Sequence, residues 1–171
     1  GGGGGGGGNT NTSVTCKDGN SSSFCTTEFH ANYGLKNIKA YEAYDDGYTG
    51  NGIKVAVLDG GFDTGHTDLD ANFITGYDEE DDDNTPNAAS HNSVMSGHGT
   101  HVAGIIAAEK NGTGMHGVAY NASIIPIKIF KDNGSFVSGG INNSIDYATD
   151  NDAIALNNSW GSRRVLNATC G

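Results

Sequence analysis

Short, nearly continuous apolar runs alternate along the chain with stretches whose apolar residues recur at helical spacing. Ile53-Lys54-Val55-Ala56-Val57-Leu58, bounded by glycines, predicts a strand buried on both faces of a parallel sheet and terminated by Asp59. Ile124 to Phe130 predicts a second buried strand, with Pro126 marking a sheet edge, a bulge or an irregular end. Ala153 to Asn157 predicts a third. A helix is expected over Leu35 to Asp45, with Leu35, Ile38 and Tyr41 on one face and Gly47 and Gly50 closing it. Another is expected over His98 to Ala108, with Val102, Ile105 and Ile106 as its apolar stripe and Gly99, Ala103, Gly104 and Ala107 leaving room for close packing. A last helix falls near Gly140 to Asp150. This alternation of helix and strand predicts an α/β fold, a parallel sheet with right-handed crossovers and helices on both faces.

Two segments lack either period. Residues 1–27 hold eight consecutive glycines and then Asn, Thr and Ser with scarcely an apolar anchor, so they read as a flexible tether, and 28–171 as the folded part. Asp78 to Ser93 is acidic and polar and reads as a long solvated surface loop, whose charge could also attract calcium. Six of the 20 acidic residues form the run Asp78 to Asp83, so the net charge of −11 owes more to one loop than to the whole surface. No basic stripe is present to displace counterions from phosphates, which argues against a nucleic-acid partner. No apolar run approaches the roughly 18 residues needed to cross a bilayer, so the chain is expected to be soluble and either processed or a fragment. Cys16, Cys25 and Cys170 match no metal or redox spacing; a small Cys16 to Cys25 loop in an exported protein and three unlinked thiols are both open.

In a parallel sheet, sites form beyond the carboxyl ends of strands, where Asp59 stands ahead of Gly60-Gly61. A functional carboxylate and a solvated turn aspartate both fit that position. Ser96-Gly97-His98-Gly99-Thr100-His101-Val102-Ala103-Gly104 places one histidine in the first turn of a helix and another three residues on, among glycines that allow close approach. At a helix N-terminus the dipole disfavours protonation, which suits a neutral base, and a nearby Asp59 would orient the ring to activate a hydroxyl nucleophile. The two histidines could equally be metal ligands, or one packed and one exposed.

The stretch Ile53 to Asp63 followed by His98-Gly99-Thr100-His101-Val102-Ala103-Gly104-Ile105-Ile106-Ala107-Ala108 resembles the aspartate and histidine signatures of the subtilisin-like serine peptidases, or subtilases. The likeness runs from about Tyr33 through Gly117-Val118-Ala119 to Asn157-Asn158-Ser159-Trp160-Gly161. It implies a serine endopeptidase in which Asp59 orients, His98 is the general base and His101 packs nearby. Subtilases carry their triad in the order Asp, His, Ser. The family's Gly-Thr-Ser-Met-Ala nucleophile motif and its Ala-Gly-Asn oxyanion segment do not occur in these 171 residues, so the fold is expected to be incomplete and the chain alone inactive. Gly60 stands where the family usually has Ser or Thr, which removes a hydroxyl next to Asp59.

The resemblance also implies substrate contacts. Gly134-Ser135-Phe136 would pair with the substrate backbone on the non-prime side, and Ser159-Trp160-Gly161 would form the opposite wall, with the bulky Trp160 shaping the pocket. Asp68 and Asn111 match positions that ligate structural calcium in the family; the chemistry itself requires no cofactor. The partners implied are a polypeptide substrate and the missing C-terminal part of the catalytic domain. The glycine tether and Asn-Asn-Ser-Trp-Gly also resemble subtilases exported by bacterial autotransporters, which would place the protein outside the cell or at its surface. Two rival readings follow from the same residues: a truncated remnant that binds peptide or a partner, and a metal-dependent hydrolase using Asp59, His66, Asp68, His98 and His101.

Overall fold

The computed structural model describes residues 24–87 and 94–161. The tether up to residue 23, part of the acidic loop, Cys16 and Cys170 lie outside them. In chain order the elements are three short helices, α1 (Thr27–Ala31), α2 (Tyr33–Asn37) and α3 (Ala40–Asp45), then β1 (Lys54–Asp59), β2 (Tyr77–Asp78), α4 (Val94–Ala107), β3 (Ser123–Lys128), α5 (Gly140–Asp150) and β4 (Ala155–Asn157). The strands form one sheet in the order β2-β3-β1-β4, and every pairing in it is parallel. Asp59 pairs with Lys128 and Val57 with Asn157, so the carboxyl ends of β1, β3 and β4 share one edge.

Successive residues of a strand point to opposite faces, and the two faces bury separate cores. Ala56, Leu58, Ile125, Ile127 and Ile129 pack with Ala148 of α5. Val57 and Ile124 pack with Ala103 and Ala107 of α4 and with Phe62 and Leu69. Helices therefore cover both faces, as the α/β pattern predicts. A third cluster joins Cys25, Phe29, Leu35, Tyr41 and Tyr44 of the N-terminal segment to Tyr120. Phe24 packs on it from within the segment read as tether. Cys25 is disulfide-bonded, to a partner outside the described residues.

Several local expectations need correction. The helix expected over Leu35 to Asp45 is split at Ile38 and Lys39, where Lys39 has φ 56°, and Ile38 is 60 % exposed instead of sharing the buried face of Leu35 and Tyr41. On α4 the fully buried stripe is the small residues Gly99, Ala103 and Ala107; Val102 and Ile106 of the expected stripe are half-buried against the same core, and Ile105 faces outward. Small side chains let the helix axis approach β1, and Gly99 is required for this: a Cβ there would lie 2.4 Å from the Gly61 carbonyl oxygen. Pro126 lies inside an interior strand opposite Val57, and on the other side the chain before β2 bridges β3 at Ile124 and β2 pairs from Ile127 onward, so Pro126 falls in the unpaired interval between them. The acidic run is not all solvated: Asp78 is buried, while Asp81 to Asp83 are exposed.

Candidate active site

Asp59 ends β1 at the carboxyl edge of the sheet and is 1 % exposed at its side chain. Its carboxylate meets His98 Nδ1 at 2.9 Å from Oδ1 and 3.0 Å from Oδ2. The Gly60 N–H donates to Oδ1 at 2.7 Å, so the backbone supplies a donor beside the carboxylate where the family hydroxyl is lacking. A carboxylate can only accept, so in the neutral ring the proton sits on Nδ1 and Nε2 keeps its lone pair. The His98 side chain is 44 % exposed, which keeps the ring accessible. Acceptor, oriented imidazole and open second nitrogen are the base-plus-orienter half of a nucleophilic site.

The two elements are locked together. Thr100 Oγ1, two residues beyond His98 on α4, accepts from the Asp63 N–H at 2.9 Å, and Gly99 packs against Asp59 and Phe62. The helix begins at Val94, so His98 lies in its second turn and not at its N-terminus. The dipole effect on the ring is weaker than the sequence suggests, because it fades beyond the first turn. His101 is exposed rather than packed. It borders a cavity of about 490 Å³ shared with Asp63, His66, Asp68 and Met115. Among the described residues no group of three or more His, Cys, Asp or Glu side chains gathers as a metal site, so the five residues of the metal-hydrolase reading are not brought together as one ligand set.

The two segments expected to contact substrate meet each other. Phe136 and Trp160 rings lie 5.1 Å apart, and Phe130, two residues beyond β3, packs on both, at 4.2 Å and 6.3 Å. Phe136 remains 42 % exposed. The Trp160 Nε1 is buried without an acceptor among the described residues. Gly134 has φ 82° and closes a turn by donating to the Lys131 carbonyl, Ser135 bonds back to Asn133, and Ser159 Oγ donates to Asn157 Oδ1. The sequence placed Phe130 at the end of an apolar strand but not in the site, although its position leading into the substrate segment was a usable signal.

Both calcium positions bear on the loop from Glu109 to Met115, Asn111 from within it and Asp68 by packing against it. Asp68 Oδ2 accepts from the Met115 N–H at 3.3 Å, and Asn111 Oδ1 accepts from Thr113. The buried Glu28 carboxylate from α1 holds the Asn111 and Gly112 N–H groups of the same loop. The oxygens are hard donors suited to calcium, but two side chains fall short of the six to eight ligands required, and carbonyls would have to supply the rest.

A second missed group is Lys128, a charged residue in an otherwise apolar strand. It is 2 % exposed and paired with Asp78 at 3.0 Å and Glu80 at 2.8 Å. Burial alone would lower its pKa, but Glu80, Asp78 and Asp132 outweigh that and hold the ammonium above its ordinary range. Burial raises the Asp78 pKa against the pull of Lys128, and the Lys128 ammonium lowers that of Glu80.

Residues 50–170 match the model of the subtilase family. Subtilisin E of Bacillus subtilis is 38 % identical over 129 residues, covering 75 % of this chain and 32 % of its own length. Fervidolysin of Fervidobacterium pennivorans is 41 % identical over 135 residues, covering 75 % of this chain and 19 % of its own length. The crystal structure of fervidolysin, described as a keratinolytic enzyme related to subtilisin, superposes with a TM-score of 0.62 at 35 % identity over 78 % of this chain and 22 % of that one. A protease structure from Pseudoalteromonas arctica gives 0.65 at 30 % identity over 80 % of this chain and 50 % of that one. The chain thus spans half or less of each of these relatives. With its sheet, its helix-borne histidine and its strand-end aspartate arranged as described, the chain belongs to the subtilase family of serine peptidases.

Proposed function

We propose that this chain is the aspartate- and histidine-bearing portion of a serine endopeptidase catalytic domain. Asp59 orients His98, whose Nε2 takes the proton of a serine hydroxyl contributed by polypeptide outside these 171 residues, and later returns it to the leaving amine. An oxyanion donor, also outside these residues, completes the site, and the chain alone is inactive. The observation that carries the reading is the contact of His98 Nδ1 with both oxygens of the buried Asp59 carboxylate. The substrate is a polypeptide held as an added strand between Gly134-Ser135-Phe136 and Ser159-Trp160-Gly161, with the mutual packing of Phe136 and Trp160 in support.

The test is fluorophosphonate labelling of the protein produced from its whole gene, alongside its intact mass. Labelling of a species longer than this chain, abolished by His98→Ala, is the expected result. Peptide hydrolysis without labelling, or labelling that survives His98→Ala, overturns the assignment. If only the 171-residue chain exists and nothing labels, a peptide-binding remnant replaces it.

Export to the cell surface, in the manner of autotransporter subtilases, extends the proposal; the glycine-rich tether supports it and fractionation of cells tests it. Family membership does not fix the compartment: the major intracellular serine protease of Bacillus subtilis is 43 % identical over 129 residues, covering 75 % of this chain and 40 % of its own length. No helix among the described residues is long and apolar enough to cross a membrane. Structural calcium at Asp68 and Asn111 belongs to the same proposal. Its test is whether calcium raises the thermal midpoint of the wild type and not of Asp68→Asn.

A further inference from the structure

The acidic run divides its labour. Glu79 accepts from Ser144 Oγ on α5 at 2.8 Å and from Asn143 Nδ2 at 3.4 Å. Glu80 Oε2 accepts from two donors at once, the Lys128 ammonium at 2.8 Å and the Asp132 backbone N–H at 2.9 Å. The same ammonium reaches Asp132 Oδ1 at 3.2 Å. Asp78 accepts from Lys128 on the remaining side and from the Glu80 N–H, which keeps the run folded over the end of β3. The charged groups around Lys128 are therefore Asp78, Glu80 and Asp132, with Lys131 acting on Glu80 from the turn.

Asp132 lies in the turn that precedes Gly134-Ser135-Phe136. In that turn Lys131 N–H donates to the Ser135 carbonyl and Gly134 N–H to the Lys131 carbonyl, both at 2.8 Å, while Phe130 and Phe136 form an antiparallel bridge. Residues 131–136 are all exposed, so apart from the Phe136 ring the turn has no apolar side chain to fix it against the core. Polar ties to a buried cation take that role.

We propose that Lys128 and Glu80 are positioning residues for the substrate-binding edge: they clamp Asp132 and so hold the turn that presents Gly134-Ser135-Phe136 in place, ready to pair with a peptide. This rests on the peptidase reading of that segment. A six-residue exposed turn left free would have to be ordered by each incoming substrate, and a preformed edge removes that cost from binding. Lys128 adjoins Asp59 only through the backbone of the β1–β3 ladder, and the side-chain bonds of the clamp run to Asp78, Glu80 and Asp132, so it acts on KM for extended substrates and not on the reactivity of the serine.

The experiment uses the protein from its whole gene with Glu80→Ala and Glu80→Gln. Hydrogen exchange over residues 129–137 reads the turn directly; KM and kcat for peptides occupying several non-prime positions read its consequence. Glu80→Ala is expected to expose the Lys131, Asp132 and Gly134 amides to exchange and to raise KM by about ten- to a hundredfold, the loss of one charge-assisted hydrogen bond or two. Fluorophosphonate labelling should proceed at the wild-type rate. Glu80→Gln keeps an acceptor for the Asp132 N–H and is expected to recover part of both effects; being isosteric, it carries the test should Glu80→Ala fail to fold. Unchanged exchange in both variants overturns the clamp. Loosened exchange with unchanged KM overturns its role in substrate binding. A wild type that neither labels nor hydrolyses refutes the peptidase reading instead, and the exchange arm still decides the clamp.

Discussion

Replacing Asp59 by Asn tests the site at its most specific point. The amide has nearly the shape of the carboxylate but only one acceptor oxygen. That oxygen is held at the Oδ1 position by the Gly60 N–H at 2.7 Å, where it also lies 2.9 Å from His98 Nδ1, and the amide NH₂ takes the Oδ2 position 3.0 Å from the same nitrogen. Nδ1 then faces a donor as well as an acceptor, which favours the tautomer with the ring proton on Nε2, and in that tautomer the nitrogen that must accept the serine proton is blocked. Turning the amide over instead restores the tautomer but sets an N–H against the Gly60 N–H, which leaves a buried donor unpaired at about 1–3 kcal/mol. The imidazolium formed during the reaction also loses its counter-charge. For a pair about 4 Å apart near the surface, as the 44 % exposure of His98 requires, that attraction is about 4 kcal/mol. Together the two effects come to about 6 kcal/mol, or about 3 × 10⁴ in kcat, the same size as the loss measured when subtilisin's own aspartate is removed. The fold should survive, because a neutral amide leaves no unpaired buried charge. The assay is kcat for a peptide amide with the protein from its whole gene, together with nitrogen NMR of the His98 ring. A loss below tenfold, or a His98 proton still on Nδ1 in Asp59→Asn, refutes the reasoning.

Gly99→Ala should destabilise by about 1–3 kcal/mol despite the better helix propensity of alanine, since its Cβ meets the Gly61 carbonyl oxygen at 2.4 Å and Asp59 at 3.1 Å; urea unfolding measures it. Asp78→Ala leaves the Lys128 ammonium buried with less compensation and should cost about 3–5 kcal/mol, read from the same unfolding curves. His116 is fully buried, donates from Nδ1 to the Gly117 carbonyl and has its pKa lowered below 6.5 by burial. The folded state therefore binds fewer protons than the unfolded one, and stability should fall as pH drops below about 6.5, by up to about 1.4 kcal/mol per unit until the folded pKa is reached. His116→Asn, which keeps a donor and does not titrate, should flatten that slope in pH-dependent melting. The edge of β4 has no strand beyond it among the described residues, and Ile154 beside it is 70 % exposed, so the isolated chain should self-associate. A monomeric sedimentation profile with a single cooperative melt would contradict that.

What the sequence made legible was local and periodic. The run from Ile53 to Asp59 is apolar, β-branched and ended by glycines, so strand, direction of burial and the position of the carboxylate could all be read from one window. Helix α5 was legible for the same reason. Where two elements compete for one volume, the pattern misled. On α4 it pointed to Val102, Ile105 and Ile106 as the core stripe; Val102 and Ile106 do pack against the core at its flank, but Ile105 faces outward and the helix turns Gly99, Ala103 and Ala107 fully inward, because only small residues let it approach β1 closely enough to bring His98 onto Asp59. Hydrophobicity scores a residue by what it would gain from burial; the site selects residues by the distance they allow.

The acidic run shows the same limit from the polar side. Six consecutive carboxylates read as solvated because nothing nearby in sequence can neutralise them, and for Asp81 to Asp83 that holds. The neutralising charge is Lys128, 48 to 50 residues further on, and it enters only when β2 and β3 pair. A lone lysine in the strand Ser123–Lys128 and an acidic run with no basic partner were each anomalous alone. A charge that breaks an apolar strand must find its counter-charge elsewhere in the chain or forgo burial. Matching unexplained charges of opposite sign across the sequence would have paired Lys128 with Asp78 and Glu80 before any coordinates were available. It would also have put β2 beside β3, a pairing that periodicity left invisible.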